Sequence, residues 1–250
     1  MKDLLRYVAA KALCACLAVL VTCAAAIAQP TNVNTYIPTN AVPLLPVLGK
    51  TIDSVWPDMP MRSFAAAMIE KESCITLTHK KCWNSHAELR TSREYGFGLG
   101  QATIAYRADG TERFNVWKDL TSLDPTLKRE WTWENRYDPA MQMRALIVKN
   151  RINYSALRFP IADQTERMAF LAVYYNSGSP LVDRNICIRT KGCDPTRWFA
   201  GIGYTAVSSF TAKSTVVAKG YGRSFATISR EYPVNVVIIR RPKYVGAMGS

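Results

Sequence analysis

The 250-residue chain is 48% hydrophobic and 20% charged, with 13 glycines and 13 prolines, a balance that excludes disordered, collagen-like and multi-pass membrane classes and is enough for one globular core. Thirty-two Lys and Arg against nineteen Asp and Glu give a net charge of +13. That charge suits an acidic polymer: nucleic acid, anionic lipid or an anionic envelope glycan.

Residues 1–28 carry Lys2, Arg6 and Lys11, then an apolar and small-residue run that closes on Ala26-Ile27-Ala28 before Gln29-Pro30. This is the pattern of a secretory signal with cleavage expected after Ala28. A retained signal anchor and a lipobox at Leu20-Val21-Thr22-Cys23 are the competing readings. Removal of the segment takes away Lys2, Arg6 and Lys11 against Asp3 and leaves about +11. The basicity therefore belongs to the mature protein, and export disfavours an intracellular DNA partner. Expected placement is the periplasm or the exterior, as a monomer.

Residues 29–47, with Pro30, Pro38, Pro43 and Pro46, read as an extended leader without periodicity. A helix is predicted from Pro60 or Met61 to Ser73. Residues 74–105 read as loop with a short hairpin, and a helix is expected around Glu112–Leu120. Asp138-Pro139 supplies an N-cap and first-turn proline for a helix to about Ile152. Asp163 and Glu166 form a capping-box pattern for a helix reaching Tyr175. Further helices are expected around Pro195–Phe199 and Ala206–Lys219. In the tail from Gly220, Val234-Asn235-Val236-Val237-Ile238-Ile239 reads as a strand. There is no internal repeat. The fold class is mainly α, with 48–219 as the principal domain and 220–250 as a C-terminal extension.

Cys14, Cys16 and Cys23 lie in the signal, leaving Cys74, Cys82, Cys187 and Cys193. An even number in an exported chain reads as disulfides, and of three possible connectivities the pairs Cys74–Cys82 and Cys187–Cys193 close the shortest loops. Cys74, His79, Cys82 and His86 also make a zinc-type ligand set within thirteen residues. An oxidising compartment favours the disulfide, so no metal and no cofactor is expected.

On the helix ending at Ser73, Met61, Phe64, Ala65, Met68 and Ile69 share one face at about 100° per residue, with Glu72 in the same stripe and Glu70 on the opposite side. Desolvation raises a carboxyl pKa, which is how such a group stays protonated and acts as a general acid. Position alone leaves a solvated or ion-paired glutamate as the alternative. Tyr175 shares a helical face with Met168, Leu171 and Ala172, whereas Tyr174 does not. Periodicity by itself reads it as a core tyrosine.

Glu72-Ser73, then Ser92 nine residues before Gln101 in Gly98-Leu99-Gly100-Gln101, then Tyr137-Asp138-Pro139, then Tyr174-Tyr175-Asn176-Ser177-Gly178 occur in an order that resembles the soluble-type lytic transglycosylases and, more distantly, the goose-type lysozymes. The match spans residues 64–182. The resemblance implies a lysozyme-like α+β fold with a small loop or hairpin region beside the catalytic helix. It implies Glu72 as single catalytic acid/base, Ser92 near the substrate N-acetyl group, and Gly98, Leu99 and Gln101 along the glycan groove. Tyr175 and Asn176 would then stand opposite the glutamate. Gly100 departs from the methionine usual in the family before the glutamine.

The implied partner is the peptidoglycan glycan strand, not nucleic acid, and the setting an envelope-spanning or phage lysis machinery. Glycosidases ordinarily use two carboxylates; a transglycosylase needs one, because the muramoyl 6-hydroxyl is the nucleophile. A hydrolysing goose-type muramidase would require a second, with Glu88, Glu94 and Asp109 as candidates. A non-catalytic envelope-binding or assembly protein is the alternative from another class. Trp83, Tyr106, Trp117, Trp131 and Trp133 are available for sugar stacking, though most read as core.

Overall fold

The computed structural model describes residues 32–203 and 224–249. The signal segment and the helix expected at 206–219 lie outside the described residues. Helices α1 (Leu45–Val55) and α2 (Ser63–Ser73) precede a sheet of β1 (Glu88–Arg90), β2 (Glu94–Phe97), β3 (Ala102–Tyr106) and β4 (Glu112–Asn115). There follow α3 (Val116–Leu123), α4 (Pro125–Glu130), α5 (Pro139–Ala156), α6 (Gln164–Ser177), α7 (Leu181–Ile188) and α8 (Phe225–Pro233). The chain then continues in wide and tight helical turns to Met248. The fold is α+β and mainly helical. No described helix is long and apolar enough to cross a membrane.

Local chemistry sets the helix starts. Asp124, Asp138 and Asp163 each accept a hydrogen bond from the backbone N–H three residues on, at 2.9 Å, and Pro125 and Pro139 occupy first-turn positions. The capping box at α6 is only half formed. The Glu166 carboxylate accepts instead from Trp198 N (2.7 Å) and Phe199 N (3.0 Å), and so organises the wide turn Trp198–Ile202 that stands near the helix expected at Pro195–Phe199.

Three further segments depart from the sequence reading. Ala41 and Leu45 are buried, Asn40 donates to the Cys82 carbonyl at 3.0 Å, and Pro46 sits in the first turn of α1. Folded structure thus begins inside the supposed leader, because prolines suit a helix start as well as a linker. The helix expected from Glu112 begins only at Val116, after strand β4. Residues Val234–Arg240 are helical turns rather than a strand, with Val236 and Val237 fully buried. Packing against α2 and α8 outweighs the β preference of that branched run.

The sheet is an antiparallel meander, β1-β2-β3-β4. Its pairs Leu89↔Gly96, Gly96↔Thr103, Glu94↔Ala105 and Ala105↔Phe114 place these side chains on one face. The other face carries Tyr95 and Phe97, which pack with Trp131, Trp133 and Tyr137. Trp83 and Trp131 are core residues. Disulfides Cys74–Cys82 and Cys187–Cys193 are both formed, which withdraws two ligands from the zinc-type set.

Helix α2 is enclosed on every side: Phe64 to Glu70 are all fully buried. The side opposite the apolar stripe is therefore not solvent but the C-terminal segment. There Glu70 meets Lys243 at 2.7 Å and Arg240 at 3.2 Å. Tyr244 donates to it at 2.6 Å and itself accepts from Trp83 Nε1 at 3.1 Å. Lys243 also reaches the Val33 carbonyl at 2.9 Å, so the segment that binds the carboxylate is tied in turn to residues near positions 33 and 83. A buried ion cluster that loses one member leaves uncompensated charge in the interior. Glu70→Ala is expected to cost about 3–5 kcal/mol in urea unfolding; a loss below about 1 kcal/mol, the range of a surface ion pair, would show that the cluster does not hold the segment.

Candidate active site

A cleft of about 780 Å³ opens between the C-terminal end of α2 and one face of the sheet, closed at one side by Lys149 of α5 and by Tyr175 and Asn176 of α6. Four residues that sequence reading singled out, Glu72, Gln101, Tyr175 and Asn176, line it together. The sheet face described above supplies the opposite wall through Leu89, Glu94, Gly96, Thr103 and Phe114.

Glu72 lies in the last turn of α2, half-buried at the cleft floor. Helix α2 stops there because Cys74 turns extended and is bonded to Cys82. Ser73 fixes the same end by donating to the Ile69 carbonyl (2.7 Å) and accepting from Trp83 N (3.0 Å). Burial raises the Glu72 carboxyl pKa above the ordinary carboxylate range. A hydrogen bond from Tyr232 and the charges of Lys71 and Lys149 act the other way and lose. The Tyr232 hydroxyl donates directly to Glu72 Oε1. Burial in turn lifts the pKa values of the Tyr232 and Tyr175 hydroxyls well above normal, so both remain donors.

Tyr175 donates to the Gly100 carbonyl at 2.6 Å. A Cβ at position 100 would stand 2.8 Å from the Tyr175 oxygen and 3.4 Å from Leu146 Cδ1, so glycine there makes room for the tyrosine. The Lys149 ammonium sits 3.9 Å above the Tyr175 ring and 3.3 Å from its carbonyl, with its pKa lowered by burial against the pull of Glu72 and Asp119. Gln101, in a left-handed backbone conformation (φ 46°), folds its amide back onto the carbonyls of Gly98 (2.9 Å) and Ala87 (3.3 Å).

Other expected residues lie elsewhere. Ser92 is exposed in the β1–β2 turn and does not border the cleft. Leu99 is fully buried in the core, and Gly98 (φ +79°) abuts Gln142, where a Cβ would approach within 2.5 Å. Gln142 binds Leu99 N at 2.8 Å and the carbonyls of Ser85 and Arg136 at 2.9 and 2.8 Å. Gly98 and Leu99 thus hold the loop that presents Gln101 rather than facing the cleft. None of the five aromatics considered for stacking lines it; Phe114 does.

Glu88 and Glu94 border the cleft. Tyr137 and Tyr95 donate to Glu88 and hold its carboxyl below the usual range. Asp109 is in an exposed turn, bonded to Thr111, away from the cleft. Among the described residues no group of three His, Cys, Asp or Glu is arranged to hold a metal ion.

Tyr232, Lys149 and Gln142 were missed by sequence reading. Tyr232 stands 160 residues from Glu72 and belongs to a segment whose motif content is weak. Gln142 and Lys149 lie on a helix that also carries Arg144, Asn150, Arg151 and Asn153, so nothing in the sequence sets them apart from its other polar residues.

A scan of the chain against protein-family models finds no match, and neither does a search of curated proteins.

The raised Glu72 pKa carries a stability consequence. The folded state keeps a proton that the unfolded chain releases, so the cost of ionising Glu72 grows as pH rises from the ordinary carboxylate range through the folded value. Glu72→Gln lacks that cost. Its melting temperature should exceed wild type at pH 7, with the gap closing near pH 4, below the unfolded value of 4.5; a variant less stable than wild type at pH 7 would contradict the raised pKa.

Proposed function

We propose that the protein is a peptidoglycan lytic transglycosylase of lysozyme-like fold, exported to the periplasm or exterior. It would cleave the β-1,4 bond between N-acetylmuramic acid and N-acetylglucosamine and leave a 1,6-anhydromuramoyl end. The observation that carries this reading is Glu72: a carboxyl with a pKa raised by burial, on the floor of an open cleft, opposite Gln101 and beside Tyr175 and Asn176. The helix-plus-meander architecture and the two disulfides support it.

Protonated Glu72 donates its proton to the glycosidic oxygen as the C1–O bond breaks, and the N-acetylglucosamine portion leaves as an alcohol. The resulting carboxylate accepts the proton of the muramoyl 6-hydroxyl while that oxygen bonds to C1. One product carries the anhydro ring, and Glu72 ends protonated again. Tyr232 and Lys149 stabilise the carboxylate that exists between the two transfers. One carboxyl therefore completes the cycle.

Glu94 on the cleft face of the sheet keeps the hydrolytic alternative open as a second carboxylate, whereas the Glu88 carboxylate is held by Tyr95 and Tyr137 on the sheet's other face. Mass spectrometry of products from purified peptidoglycan separates the readings. Anhydro ends from wild type are expected, and none from Glu72→Gln. Reducing ends would instead establish hydrolysis, undiminished wall clearing by Glu72→Gln would show that Glu72 is not the acid, and no products from wild type would leave only a binding role.

The pH profile offers a second check. Because the Tyr232 bond lowers the Glu72 pKa, Tyr232→Phe should move the alkaline limb of kcat/KM to higher pH; a shift toward lower pH would reverse the assigned effect.

A further inference from the structure

A second groove, of about 680 Å³, runs along the side of α5 between the ends of α1 and α3. At about 100° per residue, Arg144, Val148, Arg151 and Ile152 fall on one face of α5, the arginines along one edge and the aliphatic residues along the other. Arg158, just past the helix end, extends the basic edge, and Leu123 of α3 extends the apolar one. Leu123 and Ile152 are 52% and 42% exposed, so the groove offers solvent an apolar strip flanked by cations.

The carboxylates nearby are already committed. Asp124 is held by Arg144 through two bonds of 2.8 Å, and Asp53 by Arg62 at 2.7 Å. Arg151 uses one nitrogen on the Val55 carbonyl at 2.7 Å and Arg158 one on the Ser155 carbonyl at 3.4 Å. Arg144 is thus already neutralised by Asp124, which itself lines the groove, and the charge left for a partner is that of Arg151 and Arg158, whose guanidinium donors are mostly unused among the described residues. The Arg144–Asp124 pair shows the two-pronged carboxylate geometry that a planar guanidinium favours.

We propose that this groove docks an acidic amphipathic helix of a partner protein. Arg151 and Arg158 stand seven residues apart, in line with Arg144 seven residues earlier, and the aliphatic positions lie between them; Arg144 to Ala156 is about 18 Å of helix. A point anion would use one arginine and none of the apolar strip. A helix with carboxylates every two turns and leucine-like residues between would meet both edges at once. The surface is distinct from the cleft and does not rest on the activity proposed above.

The test uses a fluorescein-labelled peptide of about 18 residues with Glu at seven-residue spacing and Leu at the intervening third and fourth positions, a scramble of identical composition, and vesicles of phosphatidylglycerol. Anisotropy should show the patterned peptide binding wild type at least about tenfold more tightly than the scramble, and Arg158→Glu weakening it by about tenfold or more. Arg158 is exposed, so the variant should melt with wild type. Equal binding of the scramble, equal binding by Arg158→Glu, or vesicle binding in place of peptide binding would each overturn the proposal. So would a wild-type dimer in sedimentation that Arg158→Glu abolishes, since the groove would then be covered by a second copy.

Discussion

The carboxylate of Glu70, buried without access to water, joins the C-terminal segment to helix α2. Such a group persists only if its charge is matched and its oxygens are hydrogen-bonded, because an uncompensated ion in the interior is far costlier than the net value of any single bond. Lys243, Arg240 and Tyr244 meet that demand together, and Trp83 extends the chain of bonds to the loop beyond Cys82. With the segment seated, α8 lies against α6 and α2 is covered on the side that an isolated helical hairpin would leave wet. Tyr232 reaches Glu72 only because this seating holds.

Two glutamates two positions apart on α2 thus have opposite fates. Glu70 is surrounded by cations and serves architecture. Glu72, at the mouth of the same helix end, has one hydroxyl donor and more distant lysines, and there desolvation outweighs attraction. The contrast rests on what faces each side chain and not on the helix itself, which presents both from a single run of alanine-rich turns.

Local features were the ones legible in sequence. Asp138-Pro139 and Asp163 mark helix starts because the bond that caps a helix spans only three residues. The cysteine pairs are separated by eight and six positions. Glu72 and Tyr175 are legible from their helical faces, Gln101 and Asn176 only through the family resemblance, and all four line one cleft. Illegible features were set by partners far away. The branched run 234–239 reads as a strand until α2 is there to cover it. The four-strand meander reads only as a loop with a hairpin, because strands of three to five residues carry little periodicity. The helical wheel placed Glu70 opposite the apolar stripe correctly, yet a wheel cannot say that another segment lies on that side.

The pairing of Glu70 with Lys243 closes a loop of 173 residues. Contacts of such separation form late, since the entropy of ordering the intervening chain must be met before the contact returns anything. A nascent chain that has emerged only through α6 already holds Glu72, Gln101 and Tyr175, but α2 still has one bare flank and the acid lacks its hydroxyl donor. Topology therefore orders the events: until Tyr232 and Lys243 have been added, a growing chain carries the cleft with Glu72 still lacking its hydroxyl donor.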